Sequence, residues 1–252
     1  MTVGHAIVLV LAGIGGGLSG SIAGLASLIS YPALLAIGLP PVTANVTNTV
    51  ALVFSSTGSV IGSRPDLVGQ GHRVRQLAVA GMLGGAAGAL LLLVTPADSF
   101  EYAVPVLIAG ASIAILARRR LVDEATVSGA DHRFGPGVVA SVGAVGIYGG
   151  YFGAGAGVML LALLLFATGD PLPRCNAVKN VVLGLANGVA AIGFAIFGPV
   201  RWPVVVPLGL GFLIGGRVGP IVVRRSPAGA LRVVIALAGL GLSIKLAIST
   251  YS

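Results

Sequence analysis

The chain has 252 residues, 56% of them hydrophobic and only 9% charged, with a mean hydropathy of +1.03. Ordinary globular domains carry about 25% charged residues, so a soluble fold of this length would lack the polar surface to cover itself. The class that remains is an integral membrane protein with room for seven or eight apolar passes of about 20 residues each. The net charge of +8 does not point to nucleic acid. Most of the basic residues lie between or at the ends of apolar runs, where topology signals sit. The single cysteine, Cys175, excludes an internal disulfide and a multi-cysteine metal site. No cleaved signal peptide is expected, since the first basic residue is Arg64, well past the first apolar run.

In chain order the apolar runs are 6–37, 44–63, 76–94, 102–117, 137–168, 176–198, 202–223 and 233–250. Two connections carry several charges, Arg64 to Arg75 and Arg118 to Arg133, and the second divides the chain into near-equal halves. An offset of 131 residues aligns those halves without a gap. Gly24 falls on Gly155, Gly38 and Pro40 on Gly169 and Pro171, and Asn45 on Asn176. Gly84, Gly85 and Gly88 fall on Gly215, Gly216 and Gly219. Ordered matches of Gly, Pro and Asn are not a by-product of apolar composition. Paired structural units are a common plan of secondary transporters.

Counting basic residues sets the orientation of the halves. If all eight runs crossed simply, the loops on the two sides would carry eight and six Lys or Arg, almost no bias. If runs 6–37 and 137–168 each enter and leave on one side, thirteen basic residues share a side and Arg201 stands alone opposite. The positive-inside rule favours the second arrangement. It makes the halves inverted, with both termini outward and segments 64–75 and 118–133 cytoplasmic.

The two 32-residue runs must then be hairpins, too long for one span and short for two. Glycine accepts the dihedrals of a turn, which places the breaks at Gly15–Gly20 and Gly149–Gly157. The competing reading of Gly16-xxx-Gly20-xxx-Gly24 is a small-residue packing face. The expected fold is therefore an all-α polytopic membrane protein of two inverted-topology repeats, each a broken helical hairpin plus three spanning helices. Residues 1–120 form the first repeat, 121–135 a cytoplasmic linker and 136–252 the second repeat.

An irregular backbone at membrane depth survives only inside protein or beside a wet cavity, and the freed N–H groups at half-helix starts there form positive ends that favour anions. Ser19, Ser21, Tyr148 and Tyr151 lie near the breaks. A second polar cluster opens the next helix of each half: Thr43, Asn45, Thr47, Asn48 and Thr49, then Arg174, Asn176, Lys179 and Asn180. No acidic residue lies inside an apolar run, so coupling through a buried carboxylate is not expected. Hydroxyls, amides and one lysine suit an anion. The expected substrate-binding set is Ser19, Gly20, Ser21, Asn45, Asn48, Thr49, Tyr151, Gly153, Gly155, Asn176, Lys179 and Asn180. Each has a plainer reading. Asn45 and Asn176 also suit helix caps, Lys179 suits a topology signal, and Ser and Thr often bond back to their own helix. Lys245, within the last run, suits snorkelling to the nearby surface.

Catalytic readings fail. Gly15-x-Gly17-x-x-Gly20 has dinucleotide-motif spacing, but no acidic residue follows until Asp66 and no βαβ unit can be drawn. His5, His72 and His132 are far apart. No enzyme activity, cofactor or metal is expected.

The glycine-rich stretch 15–24, Pro32-Ala33-Leu34-Leu35-Ala36-Ile37-Gly38-Leu39-Pro40-Pro41 and Ala44-Asn45-Val46-Thr47-Asn48-Thr49 resemble the TauE/SafE sulfite-exporter family. The second half carries similar counterparts in Gly153–Gly157, Thr168–Pro173 and Ala177–Asn180. One departure is that Gly153-Ala154-Gly155-Ala156-Gly157 stands where the family tends to have a Gly-Gly-Gly-like run. The extra alanines narrow the allowed backbone at the second break. The resemblance implies a multi-pass permease or exporter of the plasma (inner) membrane for sulfite, thiosulfate or an organosulfonate. The partners implied are a small anionic substrate and the lipid bilayer, with no nucleic acid and with homo-oligomerisation left open. The alternatives are a non-transporting membrane assembly partner and an anion channel. Two halves with equivalent breaks favour transport, because alternating access needs two gates around one central site.

Overall fold

The computed structural model describes residues 2–109 and 134–225, together with Ile244 and Ile248. The chain is all-helical there. The helices are α1 (Val3–Ala23), α2 (Ala26–Ala36), α3 (Pro41–Gly62), α4 (Gly71–Val94), α5 (97–109), α6 (Pro136–Tyr151), α7 (Ala156–Thr168), α8 (Leu172–Phe197) and α9 (Trp202–Arg225). A 3₁₀ turn, Arg64–Leu67, joins α3 to α4. Proline marks the first turns of α3, α6 and α8, where its missing N–H costs nothing. The loop 118–133, residues 110–117 of the run before it, and the run 233–250 apart from Ile244 and Ile248, with Lys245, lie outside the described residues.

Among the described residues α1, α4, α8 and α9 are long and apolar enough to cross a membrane. Their outward faces carry stripes at helical spacing, such as Val3, Ile7 and Leu11 on α1 and Val206, Leu210 and Ile214 on α9. Helix α3 is as long, at 22 residues, but its polar side chains point inward. Asn45, Thr47, Asn48 and Thr49 are all buried. The polar interior and apolar exterior belong to a lipid-facing bundle.

Runs 6–37 and 137–168 each fold as a helix, a break and a returning helix. Helix α2 is antiparallel to α1, with Gly20 of α1 against Ala26 and Gly15 against Ile29. At about 1.5 Å per residue, α1 spans about 31 Å and α2 only about 16 Å. The first break is not where the glycine run predicted it. Helix α1 continues through Gly15–Gly20 to Ala23, and the chain turns at Gly24, which has φ +78°. The reason is packing. Gly13 and Gly17 lie flush against the backbone of α9 at Leu208–Phe212 and Phe212–Gly216, where any side chain would collide. The small-residue reading of that run is the correct one. The second break falls within the expected span, at Phe152–Gly155. Gly153 and Gly155 both have φ +79°, while no non-glycine among the described residues has positive φ. The alternation with alanine therefore leaves glycine at the positions that need it.

The fourth helix of each half packs into the other half. Helix α9 lies along α1 and α3, and α4 lies along α6 and α8. The matched glycines explain why. A Cβ on Gly216 would strike the Ser55 carbonyl, and one on Gly85 would strike the Ala186 carbonyl. Ser55 and Ala186 are themselves related by the 131-residue offset. Helices α3 and α8, the aligned third helices, meet antiparallel: Ser56 packs on Gly184, and Asn180 donates to Ser63.

One end of this bundle gathers the charges. Arg73 pairs with Asp170, and Arg224 donates to Asp66 at 2.8 Å and to the Gly62 carbonyl at 3.1 Å. The opposite end holds Arg201, whose backbone N–H donates to Thr47 Oγ1 at 3.1 Å.

The glycine contacts predict opposite outcomes for two substitutions. Gly17→Leu should lower stability by about 3 kcal/mol or more, because backbone on α9 cannot yield cheaply. Gly188→Ala, on α8 with open space around it, should be neutral or stabilise by about 0.5–1 kcal/mol. Thermal unfolding of the purified protein in detergent checks both.

Candidate functional site between the hairpin tips

The two tips meet at Gly24 and Gly157. The backbone of Gly24 lies so close to Gly157 that a Cβ on either would sit within 2.4 Å of the other's backbone. Beside this contact is a cavity of about 60 Å³, several times the roughly 10–15 Å³ that one water requires. The first half contributes Gly20, Gly24, Ser27, Ser55, Ser56 and Ser59. The second contributes Gly153, Gly157, Lys179, Asn180 and Asn187, with Leu52 and Leu183 as facing apolar walls. The polar groups are hydroxyls, amides and one ammonium.

Each tip is held by a side chain from the other half. A helix leaves its last carbonyls without intrahelical partners. At the end of α1, Asn176 Nδ2 donates to the Ser21 carbonyl at 2.8 Å. At the end of α6, Asn45 Nδ2 donates to the Tyr151 carbonyl at 2.8 Å. Asn45 and Asn176 are the pair aligned by the repeat, and both are buried. They cap, but they cap the C-terminus of a different helix rather than the N-terminus of their own. Asn176 Oδ1 is buried without a hydrogen-bond partner.

Lys179 breaks the symmetry. Its side chain is 1% exposed, and Nζ donates to the Gly20 carbonyl at 3.0 Å and the Ser21 carbonyl at 3.4 Å. A cation at the carbonyl end of a helix is favoured by the dipole, which offsets part of the cost of its burial. Lys179 is therefore no loop topology residue. Its partner by repeat, Asn48, turns away to α2, donating to Ser27 Oγ at 3.1 Å and accepting from Ser30 Oγ at 2.6 Å.

Of the twelve residues expected from sequence, Gly20, Gly153, Lys179 and Asn180 line the cavity. Asn45, Tyr151 and Asn176 hold the tips, and Gly155 supplies a left-handed turn. Ser19 and Ser21 bond back to the Gly16 and Gly17 carbonyls, and Thr49 bonds back to the Asn45 carbonyl. Asn48 stands behind Ser27 rather than at the wall. Sequence reading missed Ser27, Ser55, Ser56, Ser59 and Asn187. A signal was present: Leu52, Ser55, Ser56 and Ser59 share one helical face, and the offset aligns Leu52 with Leu183 and Ser56 with Asn187.

An all-helical membrane bundle with a small cavity, lined in part by hydroxyls, amides and one lysine, at two hairpin tips has the layout of a secondary transporter. The family model described as sulfite exporter TauE/SafE matches residues 9–246, and the chain belongs to that family of membrane transporters. Curated relatives agree. The chain is 27% identical over 230 residues to "Probable membrane transporter protein ORF9" of Sinorhizobium sp, covering 90% of this chain and 86% of that one. It is 26% identical over 228 residues to "Probable membrane transporter protein YfcA" of Escherichia coli K12, covering 90% and 83%. A Haemophilus influenzae "Probable membrane transporter protein" is 27% identical over 202 residues, covering 79% and 77%. No solved structure matches the chain.

The capping arrangement predicts that Asn45→Ala and Asn176→Ala each destabilise the protein by about 1–3 kcal/mol, since each leaves a buried helix-end carbonyl without that donor. The measurement is the shift in thermal midpoint, compared with a substitution at exposed Thr57.

Proposed function

We propose that the protein carries a small sulfur-containing anion, sulfite, thiosulfate or an organosulfonate, across the plasma (inner) membrane, bound in the cavity between the tips. The carrying observation is the wall chemistry. Lys179, Asn180, Asn187 and the serines of α3 all offer donors, and among the described residues no carboxylate lines the cavity. Donors around a fixed positive charge match the oxygens of an oxyanion. The reading is of a transporter rather than an enzyme, and the family supports it at that level.

We also read the two halves as inverted repeats. Support comes from the antiparallel meeting of α3 and α8 and from the reciprocal tip caps, Asn45 on Tyr151 and Asn176 on Ser21. The end that gathers Asp66, Arg73, Asp170 and Arg224 is assigned to the cytoplasm on the excess of basic residues in its segments. Reporter fusions after Arg75, Leu121 and Arg225 should all read cytoplasmic and one after Arg201 external. An external signal at Arg225 with a cytoplasmic one at Leu121 would contradict the inverted arrangement.

Transport itself is measured in proteoliposomes with labelled sulfite, thiosulfate and taurine. Uptake of at least one, competed by the others, is the expected result; no uptake of any would reject the anion reading. Lys179→Gln should weaken apparent affinity from the cytoplasmic side by about tenfold, which corresponds to about 1.4 kcal/mol. Equal affinities in the two proteins would remove Lys179 from the site.

A further inference from the structure

We infer that Lys179 is a switch that makes the first hairpin tip report whether the cavity is occupied, an inference that rests on the anion reading above. The same side chain lines the cavity and donates to the Gly20 and Ser21 carbonyls. Those carbonyls are where α1 ends. Gly20 O also accepts the Gly24 N–H at 2.7 Å, the bond that closes the turn of the tip. A hydrogen bond from an ammonium to an anion is stronger than one to a neutral carbonyl. An oxyanion in the cavity therefore competes for Nζ and weakens its hold on the tip. A ligand shifts a conformational equilibrium only by its differential interaction with the two states. Transfer of one ammonium from tip to anion supplies that difference.

The second tip lacks the device. Asn45 holds the Tyr151 carbonyl, but the position equivalent to Lys179 is Asn48, which is engaged with Ser27 and Ser30. Occupancy is thus sensed at one tip only, the tip that α8 of the other half clasps. Asn176, which also holds Ser21, keeps that tip attached when Lys179 turns away.

The test is hydrogen–deuterium exchange on the purified full-length protein, with sodium sulfite as probe and sodium chloride at matched ionic strength as control. Sulfite binding is measured separately by calorimetry. The Gly24 and Leu25 amides, which donate to the Gly20 and Ser19 carbonyls, report the first tip. Phe152 and Gly153, which donate to the Tyr148 carbonyl, report the second. Sulfite should speed exchange at Gly24 and Leu25 about tenfold and leave Phe152 and Gly153 unchanged. Lys179→Gln should exchange fast at the first tip without sulfite and show no further response. Lys179→Arg, which keeps charge and donors, should retain the response, and it decides the matter if the Gln variant does not fold. Sulfite binding with no change at Gly24 and Leu25, or an equal change at both tips, overturns the switch and leaves the anion reading standing. No binding of sulfite, thiosulfate or taurine overturns both.

Discussion

A helix that ends inside a protein's interior leaves carbonyls that lipid cannot satisfy, and among the described residues α1 and α6 both end this way at the hairpin tips. Everything around the cavity follows from how they are met. The carbonyls at the end of α1 are reached by Asn176 and Lys179, and the Tyr151 carbonyl by Asn45. Each donor stands two turns or fewer into the third helix of the opposite half. The halves are thereby locked to each other through main-chain acceptors at the very points where the chain must turn. The cavity lies beside these contacts, with Gly20, Lys179 and Asn180 in its wall.

Glycine serves two separate needs in this chain. At Gly24, Gly153 and Gly155 it supplies left-handed backbone for the turns. At Gly13, Gly17, Gly211 and Gly215 it lets α1 and α9 approach until their backbones touch. Without a hydrophobic drive between helices in lipid, such close contact is what van der Waals association requires. One residue type answering both demands is the reason the sequence is so rich in it.

That double use also limits what the sequence discloses. The membrane class, the all-helical fold and the 131-residue offset are legible, because hydropathy and ordered Gly, Pro and Asn matches survive divergence between the halves. The same alignment pairs Asn45 with Asn176, but that each reaches a helix end of the other half emerges only from the packing. The position of the first turn is not legible, since Gly15–Gly20 and Gly24 look alike until α9 is in place against one of them. The serines of α3 were passed over for a related reason. Ser55, Ser56 and Ser59 read as neutral helix residues, and only the facing Asn180 and Asn187 give them a role. The exchange of fourth helices is likewise silent in any single half.

That exchange has a consequence for biosynthesis. The groove on α1 and α3 is finished early, yet the helix that fills it, α9, is the last of the described helices to leave the ribosome. At about 5–20 residues per second, α1 waits on the order of ten seconds or more for its partner. During that interval Gly13 and Gly17 lack the helix that covers them in the finished fold. The first half cannot reach its final packing as a module in advance of the second, and maturation of the whole is tied to arrival of the chain's far end.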